Sequence, residues 1–177
     1  GYMASIEEEY NFNPKDKRIL MLGAGGAAMG ILTALAYRQP ESIIVANRTV
    51  SKAVSLIRLF KTRFPKIKFE AIGLANGILN TAFEKTDLLI NTTSVGMKTN
   101  EDLKLPLHAL PKRAIVSDIV YNPLQTAMLK KAAKLGLSTH SGLGMLLHQG
   151  AMSFKLWTGI DAPISVMKNA ALKALKL

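Results

Sequence analysis

Hydrophobic and polar positions along the chain predict strands that alternate with helices. Six short apolar or alternating runs have the length and spacing of strands, and they cover residues 19–22, 42–46, 67–72, 86–91, 113–120 and 137–140. Apolar residues at helical spacing predict helices at about 31–36, 54–60, 124–135, 143–157 and 164–175. This alternation is typical of an α/β fold. We expect a Rossmann-like doubly wound parallel sheet of about six strands in three layers, with ligand at the carboxyl ends of the strands.

A glycine-rich turn joins the first predicted strand to the first helix. Gly23 and Gly25, followed by the small Ala28, match the G-x-G-x-x-G/A pattern of dinucleotide-binding turns. The first glycine permits a tight turn, the second lets a pyrophosphate approach the backbone, and the small third residue lets helix and strand pack closely. Free N–H groups at the helix N-terminus favour an anion. The turn predicts a dinucleotide site, although a plain strand-to-helix turn could have the same residues.

The end of the second predicted strand carries the residues that discriminate between cofactors. An acidic residue usually holds the ribose 2′-hydroxyl of NAD at this point, but here the strand ends in Asn47, Arg48 and Thr49. A carboxylate would repel a 2′-phosphate, whereas a guanidinium binds one through two parallel hydrogen bonds. Thr49, Ser51 and Lys52 add donors at the start of the next helix. This pattern favours NADP over NAD, and the alternative is a solvated arginine at a strand end.

The composition fits one domain with a real hydrophobic core, since 49% of the 177 residues are hydrophobic. The net charge of +11 raises the question of nucleic acid, but only 6% of residues are aromatic and they are not interleaved with the basic ones. We therefore expect no nucleic-acid partner. The absence of cysteine excludes disulfides, and with three scattered histidines we expect no metal site. A cytoplasmic location is compatible with this composition.

Two uncharged stretches, 19–37 and 135–154, are long enough to suggest membrane spans. The first is interrupted by the glycine cluster, and the second contains many polar residues and glycines. The N-terminal region carries three consecutive acids at 7–9 and so does not resemble a signal peptide. We expect no membrane association. We assign residues 1–17 to an N-terminal segment and connector, and residues 18–177 to the nucleotide-binding domain with its C-terminal helices.

Five motifs occur in the order in which shikimate dehydrogenases carry them. They are GAGGA at 23–27, NRTVSK at 47–52, INTTSVGM at 90–97, DIVYNPLQT at 118–126 and GLGMLLHQG at 142–150. The chain thus resembles the NADP-binding half of that family over nearly its whole length. The resemblance implies reversible reduction of 3-dehydroshikimate to shikimate by NADPH, a step towards chorismate and the aromatic amino acids.

The resemblance also implies which residues contact the ligands. Those expected at the cofactor are Gly23, Ala24, Gly25, Gly26, Ala27, Asn47, Arg48, Thr49, Val50, Ser51, Lys52, Thr92, Thr93, Ser94, Ile119, Gly142 and Met145. Two more, Tyr121 and Gln149, resemble residues that contact the substrate.

Several of these residues could instead have a purely structural role. Thr92, Thr93 and Ser94 could simply form a polar turn, Tyr121 could be a packing residue, and Met145 could belong to the core. His148, beside Gln149, is expected to be structural, because the family assigns proton transfer to other residues.

In the family, a catalytic lysine and aspartate come from an N-terminal substrate domain, the aspartate from an N-T-D-G segment. From the resemblance we expect this chain to begin immediately after such a segment and to be an excised or proteolysed cofactor-binding half, and we assign no catalytic residue. Three alternatives stay open. They are a quinate/shikimate dehydrogenase with relaxed cofactor use, a stand-alone nucleotide-binding or regulatory module, and another NADP-linked Rossmann enzyme such as a glutamyl-tRNA reductase.

Overall fold

The structure of this protein is a computed structural model that describes residues 1–97 and 102–175. Within these residues all strands form one parallel sheet. Within those residues it has six strands: β1 (Arg18–Leu22), β2 (Ser42–Ala46), β3 (Lys68–Ile72), β4 (Leu88–Asn91), β5 (Ile115–Asp118) and β6 (Ser138–His140). Their spatial order is β3-β2-β1-β4-β5-β6. Successive strands are added to one side of β1 up to β3 and to its other side from β4 onwards. The boundary between β1 and β4 is therefore the switch point at which open α/β sheets bind ligands.

Helices cover both faces of this sheet. They are α1 (Tyr2–Tyr10), α2 (Gly26–Ala36), α3 (Val50–Lys61), α4 (Asn76–Glu84), α5 (Ala127–Lys134), α6 (Gly142–Thr158) and α7 (Ile164–Ala174), with a short 3₁₀ turn at Leu107–Ala109. Side chains of successive strand residues point to opposite faces, so β1 contributes to two cores. Ile19 and Met21 pack in one core with α1, α2 and α3, whereas Leu20 and Leu22 pack in the other with α4 and α5. The predicted three-layer α/β architecture is confirmed.

The register of the sheet brings the predicted site residues to one edge. Leu22 pairs with Ala46 on one side and with Asn91 on the other, and Asn91 pairs with Asp118. The carboxyl ends of four strands therefore lie side by side. The loops that follow them, which carry the glycine turn, Arg48, Thr92–Ser94 and Ile119, begin at this edge.

The α4 helix was absent from the sequence prediction, which left residues 73–85 unassigned. Its segment contains glycine and asparagine residues that favour turns, and among residues 78–84 only Leu79 and Phe83, one helical turn apart, are fully buried. Two such residues are too few to give a clear helical pattern.

Several element boundaries also differ from the sequence prediction, and local hydrogen bonds explain two of them. The fifth strand ends at Asp118 rather than at residue 120, because the Asp118 carboxylate accepts a hydrogen bond from the Val120 N–H and turns the chain. The next helix begins at Ala127 rather than at residue 124, because Thr126 is its N-cap and accepts a hydrogen bond from the Leu129 N–H.

The N-terminal segment adds a helix to the domain. In α1, Tyr2, Met3 and Ile6 are buried in the core that contains α2, and the helix also packs against α6. The boundary placed after residue 17 stays a prediction. In the described ranges, no helix is long and apolar enough to cross a membrane.

Candidate functional site

Gly23, the first residue of the glycine turn after β1, packs against the loop after β4. Its φ of 102° lies in the region that favours glycine, and its N–H donates to the Ala46 carbonyl at 2.9 Å. A Cβ at this position would lie 2.7 Å from Thr92 Oγ1 and 3.0 Å from Thr93 Cγ2. The residue is therefore required by packing as well as by the turn.

Gly25 and Gly26 face open space instead. A Cβ built on either residue would meet no atom within 4 Å in the described structure. Gly25 is the N-cap of α2 with extended backbone angles, no side chain caps this end of the helix, and its first turn contains no acidic residue. The first N–H groups of α2 and its positive dipole end are therefore accessible to an anion.

The loop after β2 presents Arg48 to solvent beside this opening. Asn47 shapes the loop, because its N–H donates to the Ile72 carbonyl at 3.1 Å and its Nδ2 donates to the Thr49 carbonyl at 2.8 Å. Arg48 is exposed, and in the described residues no hydrogen bond or salt bridge engages its guanidinium. The α3 helix begins at Val50, again without a side-chain cap or an acid in its first turn. The N-termini of α2 and α3 thus follow two neighbouring strands, β1 and β2, and Arg48 lies in the loop that leads into α3.

A cleft of about 560 Å³ lies between α2 and α3 next to these termini. Gly25, Gly26, Met29, Ser51 and Lys52 are among the residues that line it. A larger cleft of about 870 Å³ is lined by residues such as Arg18, Ser42 and Thr86 near the amino ends of the strands. We assign the site to the smaller cleft, because ligands of open α/β sheets bind at the carboxyl ends.

The loop after β4 uses most of its hydroxyl groups internally. Thr92 is buried and its hydroxyl donates to the Leu22 carbonyl at 2.6 Å, while the Thr93 hydroxyl donates to Asn91 Oδ1 at 2.7 Å. Ser94 is exposed. Of the three hydroxyl groups expected at the cofactor, only that of Ser94 keeps its proton available within the described hydrogen bonds, and the two threonines position the loop.

Asp118 organises the turn after β5. Its carboxylate accepts hydrogen bonds from Asn91 Nδ2 at 3.1 Å, from the Val120 N–H at 3.0 Å and from Thr126 Oγ1 at 2.8 Å. Burial raises the pKa of Asp118, although these three hydrogen bonds act in the opposite direction. The network fixes the turn that carries Ile119 between β4 and the start of α5.

Sequence reasoning overlooked both Asn91 and Asp118 as positioning residues. The available signal was that each polar residue ends an apolar strand of a parallel sheet, where the two neighbouring ends meet.

Gly142, the first residue of α6, lies against the turn after β5. A Cβ at Gly142 would lie 2.0 Å from the Ile119 carbonyl oxygen, and the Gly142 N–H donates to the Val120 carbonyl at 3.1 Å. Met145 follows one turn later and is half-buried against the core. The structure therefore brings Ile119 and Gly142 into contact, with Met145 one helical turn further along α6.

The residues predicted to contact substrate lie at the surface. Tyr121 is 42% exposed, and Gln149 is exposed on α6. His148 is engaged elsewhere, since its Nε2 lies 2.7 Å from the Glu8 carboxylate of α1. Across the described ranges, no cluster of three or more histidines and acids is arranged to hold a metal ion.

A six-stranded parallel sheet with helices on both faces and a glycine turn at its carboxyl edge defines a Rossmann-like α/β domain. Residues 6–119 match the family model described as shikimate/quinate 5-dehydrogenase, and residues 142–172 match the model for the shikimate 5′-dehydrogenase C-terminal domain. Since the first match covers more than half of the chain, the protein belongs to the shikimate/quinate 5-dehydrogenase family.

Individual relatives agree with this assignment. The chain is 43% identical to the NADP(+) shikimate dehydrogenase of Geobacillus sp. (strain WCH70), over 99% of this chain and 62% of the relative. It also resembles the Thermus thermophilus shikimate 5-dehydrogenase in complex with NADP(H) and shikimate, with a TM-score of 0.81, 32% identity and coverage of 98% and 60% of the two chains.

A Listeria monocytogenes shikimate 5-dehydrogenase in complex with shikimate and NAD gives a TM-score of 0.88 at 30% identity, covering 96% of this chain and 60% of that one. The present chain thus spans about three fifths of the length of the relatives that it matches.

Proposed function

We propose that this chain is the NADP(H)-binding part of a shikimate dehydrogenase, which reversibly reduces 3-dehydroshikimate to shikimate. One observation carries the proposal: two uncapped, acid-free helix N-termini follow the neighbouring strands β1 and β2 at the carboxyl edge of the sheet, and the exposed Arg48 lies in the loop before the second of them. The relatives named above include enzymes described as NADP(+)-dependent and one structure that contains NADP(H) and shikimate. The pathway to aromatic amino acids is part of the same proposal.

The residues fit the phosphates of this cofactor. The open space in front of Gly25 and Gly26 admits a pyrophosphate to the N–H groups of α2. Arg48 and Lys52 supply positive charge for a 2′-phosphate, with Asn47 holding the loop, and Thr49, Val50 and Ser51 at the start of α3 contribute backbone and hydroxyl donors.

The opposite half of the cofactor would lie along the ends of β4, β5 and β6. Ser94, Ile119, Gly142 and Met145 surround that region, and the bound cofactor would supply the hydride. Tyr121 and Gln149 are proposed to face the substrate. No residue of this chain is assigned proton transfer, which the proposal places in the part of the relatives' length that the chain does not span. This chain by itself is therefore expected to bind NADP(H) without measurable turnover.

Calorimetric titration with NADP and with NAD tests the proposal. Replacement of Arg48 by alanine is expected to weaken NADP binding about 100-fold, because two charge-assisted hydrogen bonds to the 2′-phosphate are lost. NAD binding is expected to be weak in the original chain and unchanged in the variant. Arg58→Ala, in the last turn of the same helix α3, is the matched control and should leave NADP binding intact.

Gly25→Ala tests whether Gly25 is needed for ligand binding rather than for stability. The new methyl group meets no protein atom and the backbone is extended, so the free energy of unfolding should change by less than about 1 kcal/mol. NADP binding should nevertheless fall at least about 10-fold, since the methyl group occupies the space of the pyrophosphate.

The matched control for that variant is Gly30→Ala, in the interior of α2. Its Cβ also meets open space, and alanine there should stabilise the helix without affecting NADP. Equal NADP affinity in the two variants would contradict the assignment of the glycine turn to the pyrophosphate.

A second candidate is a dehydrogenase that accepts NAD, or quinate as well as shikimate. The family description covers both substrates, and the Listeria relative contains NAD. Equal affinity for NAD and NADP in the titration above, unchanged by Arg48→Ala, would favour this candidate.

A further inference from the structure

A buried polar network lies outside the proposed phosphate site and is not used by it. Tyr2 Oη donates to Ser117 Oγ at 3.0 Å, Ser117 Oγ lies 2.9 Å from His140 Nδ1, and His140 Nε2 lies 2.7 Å from Ser5 Oγ. All four residues are buried, and His140 is completely inaccessible. A chain of four polar side chains in the interior is costly unless every member is satisfied, so its position needs an explanation.

The network joins three elements at the edge that receives the ligand. Ser117 lies in β5 two residues before Ile119, and His140 ends β6 two residues before Gly142. Ser5 of α1 lies against the first turn of α6, where a Cβ at Gly144 would come within 2.0 Å of Ser5 Oγ. The hydrogen bonds therefore fix the ends of β5 and β6 relative to α1, and the packing of Ser5 against Gly144 links the start of α6 to them.

A neutral imidazole satisfies the arrangement. The Tyr2 hydroxyl donates to Ser117. In one tautomer of His140 the Ser117 hydroxyl donates to Nδ1 and Nε2–H donates to Ser5, and in the other Nδ1–H donates to Ser117 and the Ser5 hydroxyl donates to Nε2. Burial lowers the pKa of His140 to about 4. The other groups that face the ring are the edges of Tyr2 and Tyr10, and the Glu9 carboxylate at 3.9 Å.

The position of this network relative to Arg48 indicates which half of the cofactor site it supports. A dinucleotide crosses the switch point between the two halves of the sheet, so a cofactor whose adenosine half lies at Arg48 on the β2 side has its other half over β4, β5 and β6. Ile119 and Gly142, which the network holds in place, belong to that second half of the edge.

We propose that His140 is a positioning residue that, through Ser117, Tyr2 and Ser5, preorganises the nicotinamide half of the cofactor site. This inference rests on the proposed function. It assigns His140 no direct contact with the ligand. Its effect is confined to one half of the cofactor, which distinguishes it from a general contribution to folding.

Two probes separate the halves of the site. NADP occupies both halves, whereas 2′,5′-ADP has only the adenosine with its 2′- and 5′-phosphates and lacks the nicotinamide half. Ser117→Ala removes the hydroxyl between Tyr2 and His140, and it is expected to weaken NADP binding at least about 10-fold while 2′,5′-ADP binding stays within about twofold. Ser138→Ala, at the exposed start of β6, is the control and should change neither affinity.

Tyr2→Phe is the milder variant, since it removes only the outermost hydroxyl group, and it should shift NADP affinity in the same direction as Ser117→Ala. The proposal fails if the variants bind NADP as tightly as the original chain, or if they lose NADP and 2′,5′-ADP to the same extent. Failure of the original chain to bind either probe would overturn the proposed function, and this inference with it. Selective loss of NADP in the variants alone supports both.

Discussion

Gly142→Ala is expected to lower the free energy of unfolding by at least about 3 kcal/mol. The new Cβ would lie 2.0 Å from the Ile119 carbonyl oxygen and 2.4 Å from its carbon. Both are backbone atoms, held by β5 and by the Asp118 hydrogen bonds, so no flexible side chain can move aside. The contact can be relieved only by separating the start of α6 from the turn after β5, which also breaks the hydrogen bond from the Gly142 N–H to the Val120 carbonyl.

Denaturant unfolding of Gly142→Ala beside Gly26→Ala measures this effect. Gly26 is also the first residue of a helix at the carboxyl edge of the sheet, but its Cβ would meet open space. The Gly26 variant should therefore retain most of its stability. A loss of less than about 1 kcal/mol for Gly142→Ala would show that the two backbone segments are not held in the contact described here.

Stability is expected to fall by about 3 kcal/mol between about pH 6.5 and pH 4 because of His140 alone. The pKa of His140 is about 4 in the folded protein, as a result of burial, against about 6.5 for an unfolded histidine. Between these values the unfolded chain binds a proton that the folded chain does not. The contribution of His140 is therefore fully present above about pH 6.5 and is lost progressively as the pH falls.

Urea unfolding of the original chain and of His140→Gln across this pH range isolates the effect. Glutamine does not titrate, so the difference in unfolding free energy between the two proteins should change by about 3 kcal/mol from neutral pH to about pH 4. Asp118 contributes in the opposite direction, because burial raises its pKa, but its contribution is common to both proteins and cancels in the difference. Parallel pH profiles for the two proteins would mean that His140 is not desolvated in the folded chain.

The sequence predicts the fold well because its signals are local. Alternating strand and helix periods, together with the turn at Gly23, suffice to predict a parallel sheet with a ligand edge. The sequence does not predict the α4 helix because, among residues 78–84, only Leu79 and Phe83 are fully buried. Tertiary packing rather than a local pattern therefore makes this segment helical.

The site was predicted less completely, since several of its determinants act over long distances in the sequence. Gly142 could be assigned to the site by resemblance, but its contact with the Ile119 carbonyl depends on how β5 and β6 pair. Ser5 and His140 are 135 residues apart, and nothing near either residue marks them as partners. The roles of Asn91 and Asp118 likewise depend on strands being adjacent in the sheet.

The central claim is that Arg48 holds the 2′-phosphate of NADP. Phosphorus NMR of NADP bound to this chain tests this claim most directly. A phosphate monoester loses its second proton near pH 6, and an adjacent guanidinium favours the dianion, so the bound 2′-phosphate should titrate at lower pH than in free NADP. The shift should disappear in Arg48→Ala and persist in Arg58→Ala. A 2′-phosphate that titrates as in free NADP, with or without Arg48, would contradict the account.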